Sequence, residues 1–143
     1  MTKKQYLRQG YKLKQEIKSL EQTLEEIESN LDDVKAIQYS KDKLEGGPLQ
    51  DDTNIIEKID KIIEVENIIK DKLLELKTFQ ANLILEILKL NNTDEKNLLQ
   101  ARYIFNETWE EIAKRFCFSL SYIYAIHNRA LKNFKIPENS SKK

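Results

Sequence analysis

The stretch TWEEIAKRFCFSLSYIYAIHNRAL, Thr108 to Leu131, decides how this chain is to be read. Thr108 and Glu111 have the T-x-x-E spacing of a capping box, so a short helix should begin at Trp109 and end near Phe116. Ser119 can cap a following helix that reaches about Phe134, which leaves Cys117, Phe118 and Ser119 for the turn. Ile112, Phe116, Phe118, Ile123, Ile126 and Leu131 are spaced to face one another across a tight corner. Ala113 and Cys117 are small where the two helices must approach. The pattern predicts two helices joined by a three-residue turn, a binding geometry with no catalytic constellation in it.

Upstream, Asn92 and Glu95 repeat the capping spacing, and Leu98, Leu99, Arg102, Tyr103 and Ile104 form the body of a preceding amphipathic helix that breaks at Asn106. Earlier still, Tyr6, Gly10, Leu13, Ile17, Leu20, Leu24, Ile27, Leu31 and Val34 alternate steps of four and three, a heptad seam in which Gly10 is the weak tooth. The pattern fades from Gln38 to Asp52, where Gly46, Gly47 and Pro48 predict a mobile loop. Asn54 and Glu57 then offer a cap for a second long helix. Its seam runs through Ile55, Ile59, Ile62, Glu66, Ile69, Leu73, Leu76, Gln80, Leu83, Ile87 and Leu90. Ile56, Ile63, Phe79, Ile84 and Leu88 add a second stripe, which predicts a wider buried face than a two-stranded coil needs.

The fold class expected is therefore all-α: a long antiparallel helical hairpin, coiled-coil-like, over 1–91 with its loop near 38–52, then a three-helix module over 92–136 and a disordered tail over 137–143. Closing one intrachain bundle and docking against a second copy are both open uses of the seams, the second favoured by the apolar surface an isolated hairpin leaves to water.

Of the 143 residues 34% are charged, with three Gly and two Pro, a composition suited to solvent-washed helices. One cysteine excludes an internal disulfide, and no apolar run approaches the roughly 20 residues that span a bilayer. The first residues lack the apolar core of a secretory signal, so a cytoplasmic location, in a bacterial host cell, is expected with no membrane partner. Net charge is zero, but from Lys114 onward seven cations face one acid, Glu138. The end reads as basic and the rest as acidic.

A basic end on a helix corner points to nucleic acid. With the second helix of the corner in a major groove, Leu120, Ser121, Tyr122, Tyr124, Ala125 and Asn128 face outward as candidate base contacts, through Ser and Asn hydrogen bonds and apolar contact with thymine methyl groups. Phosphate contacts fall to Thr108, Lys114, Arg115, Ser119, Arg129, Lys132 and Lys135. A packing corner without a DNA role has the same spacing. Trp109 reads as a packing anchor, and Tyr122 and Tyr124 as contact residues or as partly buried against Phe118 or Phe134. Lone His127 reads as a surface or phosphate-proximal residue, because no second His or Cys stands at ligand spacing. No nucleotide-binding glycine loop, metal set or nucleophile–base pair is present in the sequence, so no cofactor and no enzymatic activity is expected.

LLQARYIFNETWEEIAKRFCFSLSYIYAIHNRALKNF resembles the fourth conserved region of bacterial sigma factors, through the Leu99–Tyr103 helix, TWEEIA at Thr108–Ala113, Ser119 at the turn and the Arg129-Ala130-Leu131 end. With the upstream helices and the Gly-Gly loop, the whole chain resembles small sigma-region-four-like proteins of phages and prophages, similar to the ArpU and RinA type regulators of late genes. The resemblance implies sequence-specific binding to double-stranded DNA, control of transcription and RNA polymerase as a partner, with a homo-oligomer, first a dimer, built by the arm. Sigma-type helices usually put Arg, Glu or Gln where this chain has Leu120, Ser121, Tyr122, Tyr124 and Ala125, so no base preference carries over. A DNA-packaging protein of the terminase small subunit kind and a coiled-coil adaptor that binds protein alone are the alternatives.

Overall fold

The computed structural model describes residues 1–45 and 52–137, with side chains over 1–30 and 55–137. The elements in chain order are α1 (Lys3–Glu45), α2 (Asp52–Ile87), α3 (Thr93–Leu99), a π-helical turn (Gln100–Ile104), α4 (Trp109–Phe116) and α5 (Leu120–Asn133). The chain is all-helical, without a strand among the described residues, and no described helix is long and apolar enough to cross a membrane.

Two expected boundaries move. The helix continues through Gln38–Glu45, where a loop was expected, because that stretch contains no Gly or Pro. Loss of the apolar seam removes a packing face but not the helical preference of its Lys, Glu and Leu residues. The Gly46-Gly47-Pro48 part of the expected loop lies outside the described residues, as does the tail from 138. At the other side, α2 is already helical at Asp52, so Asn54 sits inside it and is not its cap.

The described residues divide into two compact units. In the unit formed by Gln15–Leu74, α1 and α2 run antiparallel. Glu16 pairs with Lys72 at 2.8 Å, while further along α1 Leu24 and Ile27 share an apolar groove with Ile62 and Val65 of the earlier part of α2. Ile17, Ile62 and Ile69 are buried between them. The second stripe is not: Ile56 and Ile63 lie 57% and 47% exposed, and Leu74 joins them at 66%.

The other unit joins Met1–Lys14 to Glu75–Lys143 and holds two apolar clusters. The larger packs Tyr6 and Leu7 of α1 with Phe79, Leu83 and Ile87 of α2, Leu99 and Tyr103, and Ala130 and Phe134 at the end of α5. Here too the expected stripe divides, since Phe79 is buried and Leu88 is 54% exposed. Gly10 explains its own place in the seam: a Cβ there would stand 2.9 Å from Phe79 Cε1, so glycine is what lets the ring lie against α1. The smaller cluster joins Leu98, Ala101, Ile112, Ile123 and Ile126, with Trp109, Ala113, Phe116 and Phe118 packed around it. It is the core of the corner formed by α3, α4 and α5.

Candidate nucleic-acid interface

Each helix of the corner starts on a side chain that satisfies a free backbone N–H. Asn92 Oδ1 accepts from Glu95 N at 3.0 Å, Thr108 Oγ1 from Glu111 N at 3.2 Å and Ser119 Oγ from Tyr122 N at 3.1 Å. The stop of α4 is equally local. Cys117 adopts a left-handed φ of 59°, Cys117 N donates to Lys114 O and Phe118 N donates to Ala113 O, the paired bonds of a Schellman motif. Phe118 then folds back onto the corner's core, and α5 starts at Leu120.

On α5, Ile123, Ile126, His127 and Ala130 face inward, as does Phe134 just past its end. At 100° per residue, Ser121, Ala125, Asn128 and Lys132 point most directly away from that face. Leu120, Ser121, Tyr122, Tyr124, Ala125 and Asn128 are all exposed, as are Thr108, Lys114, Arg115, Ser119, Arg129, Lys132 and Lys135. The structure distinguishes them further. Tyr122 rests edge-on against Phe118 at 4.8 Å, and Tyr124 against Trp109 at 5.4 Å, not against Phe134. The Thr108 and Ser119 hydroxyls are engaged in their caps. Arg115 pairs with Glu107 at 3.2 Å and covers the Phe116 ring.

Arg129 has a second task. Its Nε donates to Glu95 Oε1 at 2.8 Å, and Asn133 Nδ2 donates to both oxygens of the same carboxylate, which is 2% exposed. The sequence pattern marks Glu95 only as a capping partner. Its charge is buried and neutralised by α5, so Arg129 ties α5 to α3 whatever else it touches.

His127, expected at the surface, is buried at 6% exposure. Its Nε2 shares a 2.6 Å hydrogen bond with the Tyr103 hydroxyl, and Trp109 stands edge-on to it at 4.8 Å. Burial, and then the nearby positive charges of Lys4 and Arg102, push its pKa down to about 4, so the ring is neutral at pH 7. Burial also raises the Tyr103 pKa, which keeps the phenol protonated.

Beside this buried ring opens a groove of about 910 Å³ that the sequence did not disclose. Lys4, Arg8, Tyr11 and Lys12 of α1 line it, facing Arg102, Asn106 and Trp109 and, from α5, Tyr124 and Asn128. Arg102 is fixed by a 2.9 Å hydrogen bond to Glu107 O and lies 4.3 Å over the Trp109 ring. The lining contains four cations and no carboxylate. Reading everything before Lys114 as acidic averages over Met1–Lys14, which holds five cations (Lys3, Lys4, Arg8, Lys12, Lys14) and no acid. The spacing of Lys4, Arg8 and Lys12 by four is the local signal that could have shown it. That α1 returns beside α5 is a long-range fact.

Family models, curated proteins and solved structures were compared with the chain, and none matches.

Proposed function

We propose that the chain is a double-stranded DNA-binding protein in which the exposed face of α5 enters a major groove, acting as a phage-type regulator of transcription. The observation that carries the reading is the α4–α5 corner: a three-residue turn with a left-handed stop, capped on both sides, presenting a helix face free of acids. From Phe116 to Pro137 there is no carboxylate at all, while Arg129, Lys132 and Lys135 add positive charge. Ser121 and Asn128 supply the polar groups for base edges, and Ala125 and Leu120 suit thymine methyl groups. Lys114, Lys132 and Lys135, which carry no ion pair among the described residues, suit phosphates.

Assembly through the arm belongs to the same proposal. Ile56, Ile63 and Leu74 fall within about 20° of one another around α2, so the unit Gln15–Leu74 presents an apolar stripe to solvent. A second copy is the partner whose own stripe matches it, and a two-fold dimer would address two half-sites about one helical turn apart. RNA polymerase contact and late phage genes as targets rest on the sigma-like resemblance of Leu99–Phe134.

Fluorescence titration of duplex fragments at rising salt tests the proposal. Binding should weaken steeply with salt, and Lys132→Ala with Lys135→Ala should reduce the log–log slope by about 2. Ser121→Ala with Asn128→Ala should instead reduce discrimination between sequences. Arg129→Ala is a poor probe, because it also strips a buried carboxylate of its partner. Absence of salt-sensitive duplex binding would reject the proposal, and sequence-blind binding by a ring-sized assembly would favour a packaging role.

A further inference from the structure

Five cations crowd the first fourteen residues, and the structure separates them by what they do. Lys3 Nζ donates to Leu131 O at 2.6 Å and to Lys132 O at 3.3 Å, covering carbonyls in the last turn of α5 that have no partner within the helix. Lys14 Nζ donates to Ile104 O, at the end of the π-helical turn. The bonds of these two lysines, with buried Tyr6 and Leu7, fix the first turns of α1 against the corner. Lys4, Arg8 and Lys12 make no hydrogen bond or ion pair among the described residues, and all three are exposed along one side of the groove.

We infer that this row is a second phosphate-binding element, which holds one strand of a DNA duplex seated on α5. The inference rests on the proposed DNA-binding reading and extends it to a part of the chain remote in sequence. Three observations lead there. First, like charges set side by side in a concavity repel, and no carboxylate lines the groove, so the arrangement is stabilised by an anionic occupant. Second, Lys4, Arg8 and Lys12 span about 12 Å along α1, an extended row suited to successive phosphates of a backbone and longer than one small anion requires. Third, the opposite wall is Tyr124 and Asn128, residues of the α5 face proposed to meet bases. A duplex with bases against Asn128 therefore brings sugar-phosphate backbone to the groove mouth.

His127, neutral, and Trp109 also line the groove, so the charge of its lining comes from Lys4, Arg8, Lys12 and Arg102. Phosphate contacts of this type set register and affinity but carry no sequence information.

The test compares the full chain with Lys4→Ala/Arg8→Ala/Lys12→Ala on random-sequence duplexes of about three helical turns and on single strands of the same length. Lys58→Ala/Lys61→Ala/Lys70→Ala, on exposed positions of α2, serves as a charge-matched control, and circular dichroism verifies that each variant is folded. The triple variant should bind every duplex more weakly, with a log–log salt slope smaller by 2–3, so that raising salt from about 50 to 200 mM costs it roughly 40-fold less affinity than it costs the wild type. Lys4→Arg/Lys12→Arg should retain the wild-type slope. Duplex binding by the wild type with an unchanged slope in the triple variant would overturn the inference and leave the α5 reading standing. Failure of the wild type to bind duplexes, or binding to single strands only, would overturn both.

Discussion

His127 shows how far one residue can depart from a reading of its neighbours in sequence. Without a second His or Cys nearby it looked like a surface group, but Tyr103, twenty-four positions earlier, supplies its hydrogen bond, and Trp109 covers it. The folded chain holds the imidazole neutral with a pKa near 4, against 6.5 for an unperturbed histidine. Between those values the unfolded chain binds more protons than the folded one, so stability rises with pH across the window and is lost as pH falls from about 6.5 toward 4. Urea unfolding from pH 7 to pH 4.5 should show this loss. In His127→Gln, which keeps a hydrogen-bonding group for Tyr103 but cannot titrate, the loss should shrink, though stability at pH 7 falls. An unchanged pH dependence would place the sensitive group elsewhere. Cys117 is the opposite case, since its role as a small turn residue was legible. At φ 59° its side chain is strained, and Cys117→Gly should raise the thermal midpoint, a gain of about 0.5–1 kcal/mol after the added flexibility of glycine is counted. A lowered midpoint would contradict that account of the turn.

Among the elements, α3, α4 and α5 were legible because their boundaries are set within a few residues. The three caps and the Schellman stop each depend on groups no more than five positions apart. The end of α1 departs from its sequence pattern for a related reason: an apolar seam reports packing, and a helix can outlast its seam. Two further features were hidden. The π-helical register of Gln100–Ile104 leaves no mark in composition, yet it carries Arg102 and Tyr103, which line the groove. The docking of the first turns of α1 depends on pairs such as Lys3 with Leu131, 128 residues apart, which no local pattern can announce. The outward face of α5 was therefore readable from helical periodicity, whereas the cationic groove beside it needed the fold.

For the whole molecule, the unit Gln15–Leu74 buries a narrow seam and leaves Ile56, Ile63 and Leu74 in solvent, so the proposal that copies associate through the arm makes a direct demand. Light scattering on the eluting protein should give a dimer or larger, and Ile56→Glu with Ile63→Glu should shift it toward monomer while helix content is kept. A wild-type monomer at micromolar concentration would remove the arm from the assembly proposal. The DNA-binding proposal requires that α5 present its exposed face to the duplex. Amide resonance mapping during titration with a duplex tests it most directly. Shifts should concentrate at Leu120–Asn128 and Lys132 and extend to Lys4, Arg8 and Lys12, while α2 residues near Lys58 and Lys61 stay still. Shifts that avoid α5, or a spectrum unchanged by any duplex at low salt, would contradict it.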